Sequence, residues 1–137
     1  MLQNLLKRGP GQTIAFIPRP EARLLAETMV AFANADGGTI LLGVDEDGQV
    51  VDYLTDENVE GHLVQALVMC RPPVVTEWEQ SELPDGVVVA LKVARSPELH
   101  ALADGRVLIR AGTENKPPRG EAIRHLAATK SSGELES

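Results

Sequence analysis

The twenty residues from Phe32 to Val51, FANADGGTILLGVDEDGQVV, leave this chain few ways to fold. An apolar period of helical spacing runs up to Phe32 and stops at Asn34, Asp36, Gly37 and Gly38, because glycine enters the left-handed conformation of a helix end without a Cβ penalty. Thr39 to Val44 is then an unbroken apolar run of strand length. Asp45-Glu46-Asp47-Gly48 supplies turn chemistry, and Gln49 to Tyr53 is predicted to return as a second strand. The expectation is a helix feeding a hairpin.

The flanking elements follow from similar signals. Met1 to Arg8 is a short amphipathic lead broken by Gly9-Pro10-Gly11, and Thr13 to Ile17 reads as a strand that Pro18 and Pro20 stop. Pro20 or Glu21 opens the first main helix. Its buried side is Leu24, Leu25, Thr28, Met29 and Phe32, and Arg23 and Glu27 form a predicted i,i+4 pair on the other side. Thr55 or Asp56 is the predicted cap of a second helix reaching about Cys70, with Val59, Leu63, Ala66, Leu67 and Met69 inward and Arg71-Pro72-Pro73 as its stop. Val74 to Ser81 and Val87 to Ala94 are strands joined through Pro84-Asp85-Gly86, and the apolar Val87–Leu91 run predicts a central position. Arg95 to Ala103 reads as an exposed loop, Arg106 to Arg110 as a last strand and Glu121 to Thr129 as a terminal helix. This order predicts an α+β fold, with a mixed, largely antiparallel sheet and a short C-terminal helix. The predicted organisation is a lead over 1–11, one domain over 12–130 and a mobile polar tail over 131–137.

A chain of 137 residues suits one hydrophobic core, and with aromatics limited to Phe16, Phe32, Tyr53 and Trp78 that core must be aliphatic. No apolar run approaches the ~20 residues that span a bilayer and no signal-peptide core opens the chain, so a cytoplasmic location is expected. The lone Cys70 reads as a small buried hydrophobe. A net charge of −7 argues against indiscriminate nucleic-acid binding, which depends on neutralising phosphates. The charge is unevenly spread. Asp36 to Glu60 holds eight acidic residues and no Lys or Arg, whereas Arg106 to Lys130 holds six basic residues against Glu114 and Glu121. One end is thereby suited to an anionic partner and the other to a neighbouring protein, unless both are simply solvated faces.

No metal, cofactor or catalytic residue is predicted. His62, His100 and His125 lie far apart without partners at ligand spacing, and Asp45-Glu46-Asp47 lacks the calcium loop's closing Glu. Gly37-Gly38 follow a helix rather than precede one, which removes the usual nucleotide-phosphate loop. The candidate site is the segment from Arg110 to Arg119. Arg110 ends a strand, Gly112 and Thr113 offer backbone N–H and hydroxyl groups, and Lys116 and Arg119 stand on a proline-stiffened loop, a set suited to phosphate oxygens. The alternative is that Arg110 pairs with an acid of the central hairpin and the loop is plain connection. Tyr53 and Trp78 are not set among basic residues, which weakens the case for base stacking.

Ala31-Phe32-Ala33-Asn34, Gly37-Gly38-Thr39-Ile40-Leu41-Leu42-Gly43-Val44 and Asp45-Glu46-Asp47-Gly48 together resemble the Schlafen AlbA-like domain, a family often given a DNA-binding or transcriptional-regulator label. The later run Val107 to Thr113, followed by Lys116-Pro117 and a short helix from Glu121, is similar to that family's closing segment. The resemblance covers roughly 12–128 and implies a sheet with two helices packed on one face. It gives Asn34, Gly37, Gly38, Gly43, Asp47 and Gly48 a structural role. Relatives of nuclease character carry Glu-Phe-Lys where this chain has Ala15-Phe16-Ile17, and an acid where it has Gln12. Neither aliphatic replacement holds a metal ion or polarises a phosphate. The resemblance therefore implies a non-catalytic nucleic-acid-binding module, with DNA preferred to RNA. A protein-interaction domain without nucleic acid ranks second, its basic loop meeting the acidic hairpin of another copy, and a metal-dependent RNase ranks third. A homodimer is expected if the sheet leaves an open edge strand.

Overall fold

The computed structural model describes residues 2–130, so the tail predicted over 131–137 lies outside the described residues. The elements are α1 (Leu2–Arg8), β1 (Ile14–Ile17), α2 (Ala22–Asn34), β2 (Gly38–Leu42), α3 (Val59–Val68), β3 (Cys70–Arg71), β4 (Thr76–Leu83), β5 (Gly86–Val93), β6 (Ala101–Leu102), β7 (Ile109–Ala111), β8 (Glu114–Lys116) and α4 (Glu121–Thr129). The main sheet has the order β1-β2-β5-β4, with β1 parallel to β2 and the other pairings antiparallel. Two small sheets, β3-β6 and β7-β8, complete a mixed α+β fold.

The alternation of side chains along the strands builds two apolar layers. On one face, Ala15, Ile17, Ile40, Leu42, Val89 and Leu91 meet Leu25, Met29 and Phe32 of α2 and Val59, Leu63 and Ala66 of α3. Each of the larger side chains gains roughly 1.5–3 kcal/mol from such burial. On the other face, Leu41, Val44 and Val88 are covered by Leu2, Leu5 and Leu6 of α1 together with Phe16 and Val50. The lead is therefore an element of the fold, because β2 and β5 are apolar on both faces and need a second cover. The apolar run from Val87 does place β5 centrally, between β2 and β4. Cys70 is fully buried, and desolvation pushes its thiol up to about 11.

Several boundaries differ from the sequence reading for identifiable reasons. Gln49 to Tyr53 forms no strand; only an isolated Val44–Val50 bridge closes the Asp45–Gly48 turn. Both edges of β2 are already taken, by β1 and β5, so the returning segment has no ladder to join. The acceptor that shapes this turn is Asp45, whose carboxylate takes the N–H groups of Asp47 and Gln49 at 2.9 Å each. β2 stops at Leu42 because Gly43 has φ +98, and a Cβ there would stand 2.7 Å from the Val87 carbonyl oxygen. The α3 cap is Asn58, whose Oδ1 accepts from Gly61 N at 3.1 Å, in place of Thr55 or Asp56. Glu27 reaches Arg106 at 2.8 Å, and the predicted Arg23–Glu27 pair is not among the ion pairs of the described residues. The Arg95–Ala103 segment contains β6 and the buried His100, and the last predicted strand is shorter, starting at Ile109.

Candidate nucleic-acid interface

The segment from Arg110 to Lys116 is a tight hairpin. β7 and β8 pair Ile109 with Lys116, Arg110 with Asn115 and Ala111 with Glu114, around a Gly112–Thr113 turn in which Gly112 takes φ +62. Alternation sends Arg110 and Asn115 to the inner side and leaves Ala111, Glu114 and Lys116 exposed.

Arg110 is 5% exposed, and its donors are spent inside the protein. Its Nε donates to Gly11 O at 3.1 Å, one terminal nitrogen to Ile14 O at 3.0 Å and the other to Asn115 Oδ1 at 2.9 Å. The guanidinium lies 5.0 Å from the centre of the Phe32 ring. Burial pushes its pKa down from the ordinary value, though an arginine stays charged in proteins. Asn115 passes the chain on by donating to Thr28 Oγ1 at 3.0 Å, and Thr28 donates to Leu24 O at 2.8 Å. Arg110 thus anchors the hairpin to β1 and α2. Its guanidinium makes no ion pair among the described residues, and it borders a surface cleft that Glu46 of the central turn also lines.

Gln12 fixes the hairpin tip. Its Oε1 accepts from Gly112 N at 2.8 Å, while Nε2 donates to Arg110 O at 2.9 Å and to Asp36 Oδ2 at 3.3 Å. A carboxylate at position 12 could accept the first bond but could not donate the other two. The nearby Ala15 and Ile17 are buried in the α2 layer.

Asn34 closes α2 from inside, at 2% exposure. Its Nδ2 donates to His100 O at 2.8 Å and to Leu108 O at 2.9 Å, and its Oδ1 accepts from His100 N at 2.9 Å. Gly37, at φ +75, donates its N–H to Phe32 O at 2.8 Å and passes so close to Arg95 that a Cβ would meet its backbone nitrogen at 2.9 Å. His100 Nδ1 donates to Pro72 O at 2.8 Å, because a carbonyl oxygen only accepts, and its Nε2 shares a hydrogen bond with Ser96 Oγ at 2.7 Å. Among the described residues no group of three or more His, Cys, Asp or Glu side chains gathers as metal ligands would.

The predicted phosphate-contacting set therefore divides. Gly112, Thr113, Lys116 and Arg119 are exposed; Lys116 pairs with Glu114 at 2.9 Å, a surface contact that costs little to open. Arg119 makes no ion pair among the described residues. Other bases lie at the end of the sheet nearest Gln12. Arg8 and Lys92 line a common cleft with Asp36, and both are exposed. Lys130 is tucked against Ala33 O and Ser96 O; burial lowers its pKa, Arg95 adds to that and Asp36 opposes it. Sequence reasoning missed Arg8, Lys92 and Arg95 because α1 and the end of β5 lie far apart in the chain and meet only in the fold. The one available signal was Lys92, a lone charge in the otherwise apolar run from Val87 to Val93.

The family model described as Schlafen, AlbA_2 matches residues 11–119, from the segment that receives Arg110 to the end of the candidate loop. The chain belongs to the Schlafen AlbA_2 family. The Schlafen AlbA_2 match leaves α1 and α4 outside it. The domain is similar in structure to the DIP2311 protein from Corynebacterium diphtheriae, with a TM-score of 0.67 at 19% sequence identity over 88% of this chain. That likeness is one of fold, and this chain spans 25% of the length of the DIP2311 chain. No protein with a curated description matches it. Among the described residues, no helix is long and apolar enough to cross a membrane.

Proposed function

We propose that this Schlafen AlbA_2 domain is a nucleic-acid-binding regulatory module, with DNA preferred to RNA, that contacts phosphates through its β7-β8 hairpin and the loop after it. The observation that carries this reading is the inward anchoring of Arg110, which holds the exposed Gly112–Thr113 turn, Lys116 and Arg119 on a stiff support. A pre-set array loses less entropy on ordering when it meets a phosphate backbone. Family membership supports a nucleic-acid-related role. A hydrolytic role is disfavoured, since Ala15 and Ile17 offer no metal ligand and lie in the core.

The test is the affinity for labelled duplex DNA, single-stranded DNA and structured RNA across a salt series. The Lys116→Ala/Arg119→Ala variant should bind more weakly and show a log–log salt slope shallower by roughly 2, one for each lost phosphate contact. Binding by this variant that equals the parent's sinks the hairpin as the contact surface. Magnesium-dependent cleavage of any of the three probes restores the hydrolytic reading.

One observation favours the second reading, assembly through protein contacts. The outer edge of β4 is unpaired over eight residues, and it is the open edge on which a homodimer would form. Antiparallel pairing about the strand centre would set Glu77 opposite Glu82 of the second copy, so like charges oppose it at neutral pH. Sedimentation at tens of micromolar should show a monomer at pH 7 in low salt and a larger species once salt is raised. A dimer that is stable in low salt places the subunit contact elsewhere.

A further inference from the structure

The end of the sheet beside Gln12 holds a cleft of about 300 Å³ between α1 and the strands. Arg8 enters it from the last turn of α1, Thr13 from the segment before β1, and Thr39 and Lys92 from β2 and β5, where they stand directly opposite each other. Arg8 and Lys92 make no ion pair, and the Thr13 and Thr39 hydroxyls make no hydrogen bond, among the described residues. Two carboxylates stand near. Asp36 forms part of the wall and receives a hydrogen bond from Gln12, and Glu77 is the β4 neighbour of Lys92. Arg95 follows the same end of β5, against Gly37, so the bases at this end outnumber the acids in a chain whose net charge is −7. Uncommitted cations beside free hydroxyl donors are the usual partners of phosphate oxygens.

We propose that this cleft seats a phosphate group of the bound nucleic acid, with Arg8 and Lys92 as its cationic ligands and the hydroxyls of Thr13 and Thr39 as neutral donors. The proposal rests on the nucleic-acid reading above and enlarges its surface. Gln12 joins the two parts, since one side chain bonds both Asp36 in the cleft wall and Gly112 at the hairpin tip. A single backbone passing this end meets the hairpin and the cleft together. Arg8 lies on α1, outside the family match.

The experiment compares the parent with Arg8→Ala/Lys92→Ala, in which both changed side chains are exposed and the circular dichroism spectrum should be unchanged. Affinity for labelled duplex DNA should fall by roughly ten-fold at low salt, with a salt slope shallower by about 2. In amide spectra of the parent, inorganic phosphate should shift Gly37, Gly38 and Thr39, and these shifts should vanish in the variant. DNA affinity and slope unchanged in this variant but reduced in Lys116→Ala/Arg119→Ala overturn the cleft and leave the nucleic-acid reading standing. Phosphate shifts in a parent that binds no nucleic acid support a phosphate seat and sink that reading. No shifts and no nucleic-acid binding overturn both.

Discussion

Arg110→Ala is expected to cost about 4 kcal/mol of stability, more than any single loss on the exposed surface of the hairpin. Hydrogen bonds to a charged group contribute about 1.5–3 kcal/mol each, with less than additive sums. Arg110 makes such bonds to Gly11 O, Ile14 O and Asn115 Oδ1. Alanine leaves those acceptors without their donors in a buried site and removes the cation from the Phe32 ring. The midpoint of thermal unfolding should drop by roughly 10 °C or more. Arg110→Lys should recover little, because an ammonium cannot fork between two carbonyls or lie flat on a ring. Urea unfolding of the three proteins measures this directly, and a loss below about 1 kcal/mol would falsify the anchoring role. The same variant separates anchor from contact. Where it remains folded at low temperature, its weakened nucleic-acid binding should come with a hairpin whose amides exchange faster.

Asn34→Asp changes one atom and should be nearly as damaging, on the order of 3–5 kcal/mol at pH 7. The amide nitrogen that donates to His100 O and Leu108 O becomes an oxygen facing two carbonyl oxygens at 2% exposure. A carboxylate there is desolvated and repelled, so its pKa rises above the unfolded value near 3.9. The sign follows from proton linkage: in that window the folded state holds the extra proton, and stability falls as pH rises. The deficit relative to the parent should be smallest below about pH 4 and grow toward neutrality. Asn34→Ala has no titrating group at this position, so its deficit should stay nearly constant with pH. Chemical denaturation of both variants at pH 4 and pH 7 tests the pair. A deficit of Asn34→Asp that is the same at both values would mean that the side chain has turned to solvent.

These two residues show how unevenly the site could be read from the residues. Asn34 was visible as a helix-ending residue because the apolar period stops beside it. Its bonds to His100 and Leu108 were not, since partners so far along the chain leave no local trace. Arg110 stood out as a charge at a strand end before a glycine turn, a pattern that is the same whether the side chain points out or in. The hairpin register decided the direction: pairing with Asn115 places it on the inner side, where Gly11 and Ile14 present carbonyl groups. Gln12 reads as a lost acid in the sequence. In the fold its amide does what a carboxylate cannot, joining the hairpin tip to Asp36. The cleft was illegible for the same reason, because Arg8 joins Lys92 only after α1 has packed on the sheet.

Local chemistry by itself determined the helix ending at Asn34, the strand after Gly38, the Pro84–Gly86 turn, the central place of β5 and the exact span of α4, because apolar periodicity and turn residues act over a few neighbours. It also carried the family pattern. Competition among distant segments decided the rest. The segment after Gly48 found β2 already paired on both sides and remained unladdered, while α1 was drawn onto a sheet face that would otherwise meet water. Arg110 was turned inward because buried carbonyl groups need donors and only the folded chain brings those donors within reach.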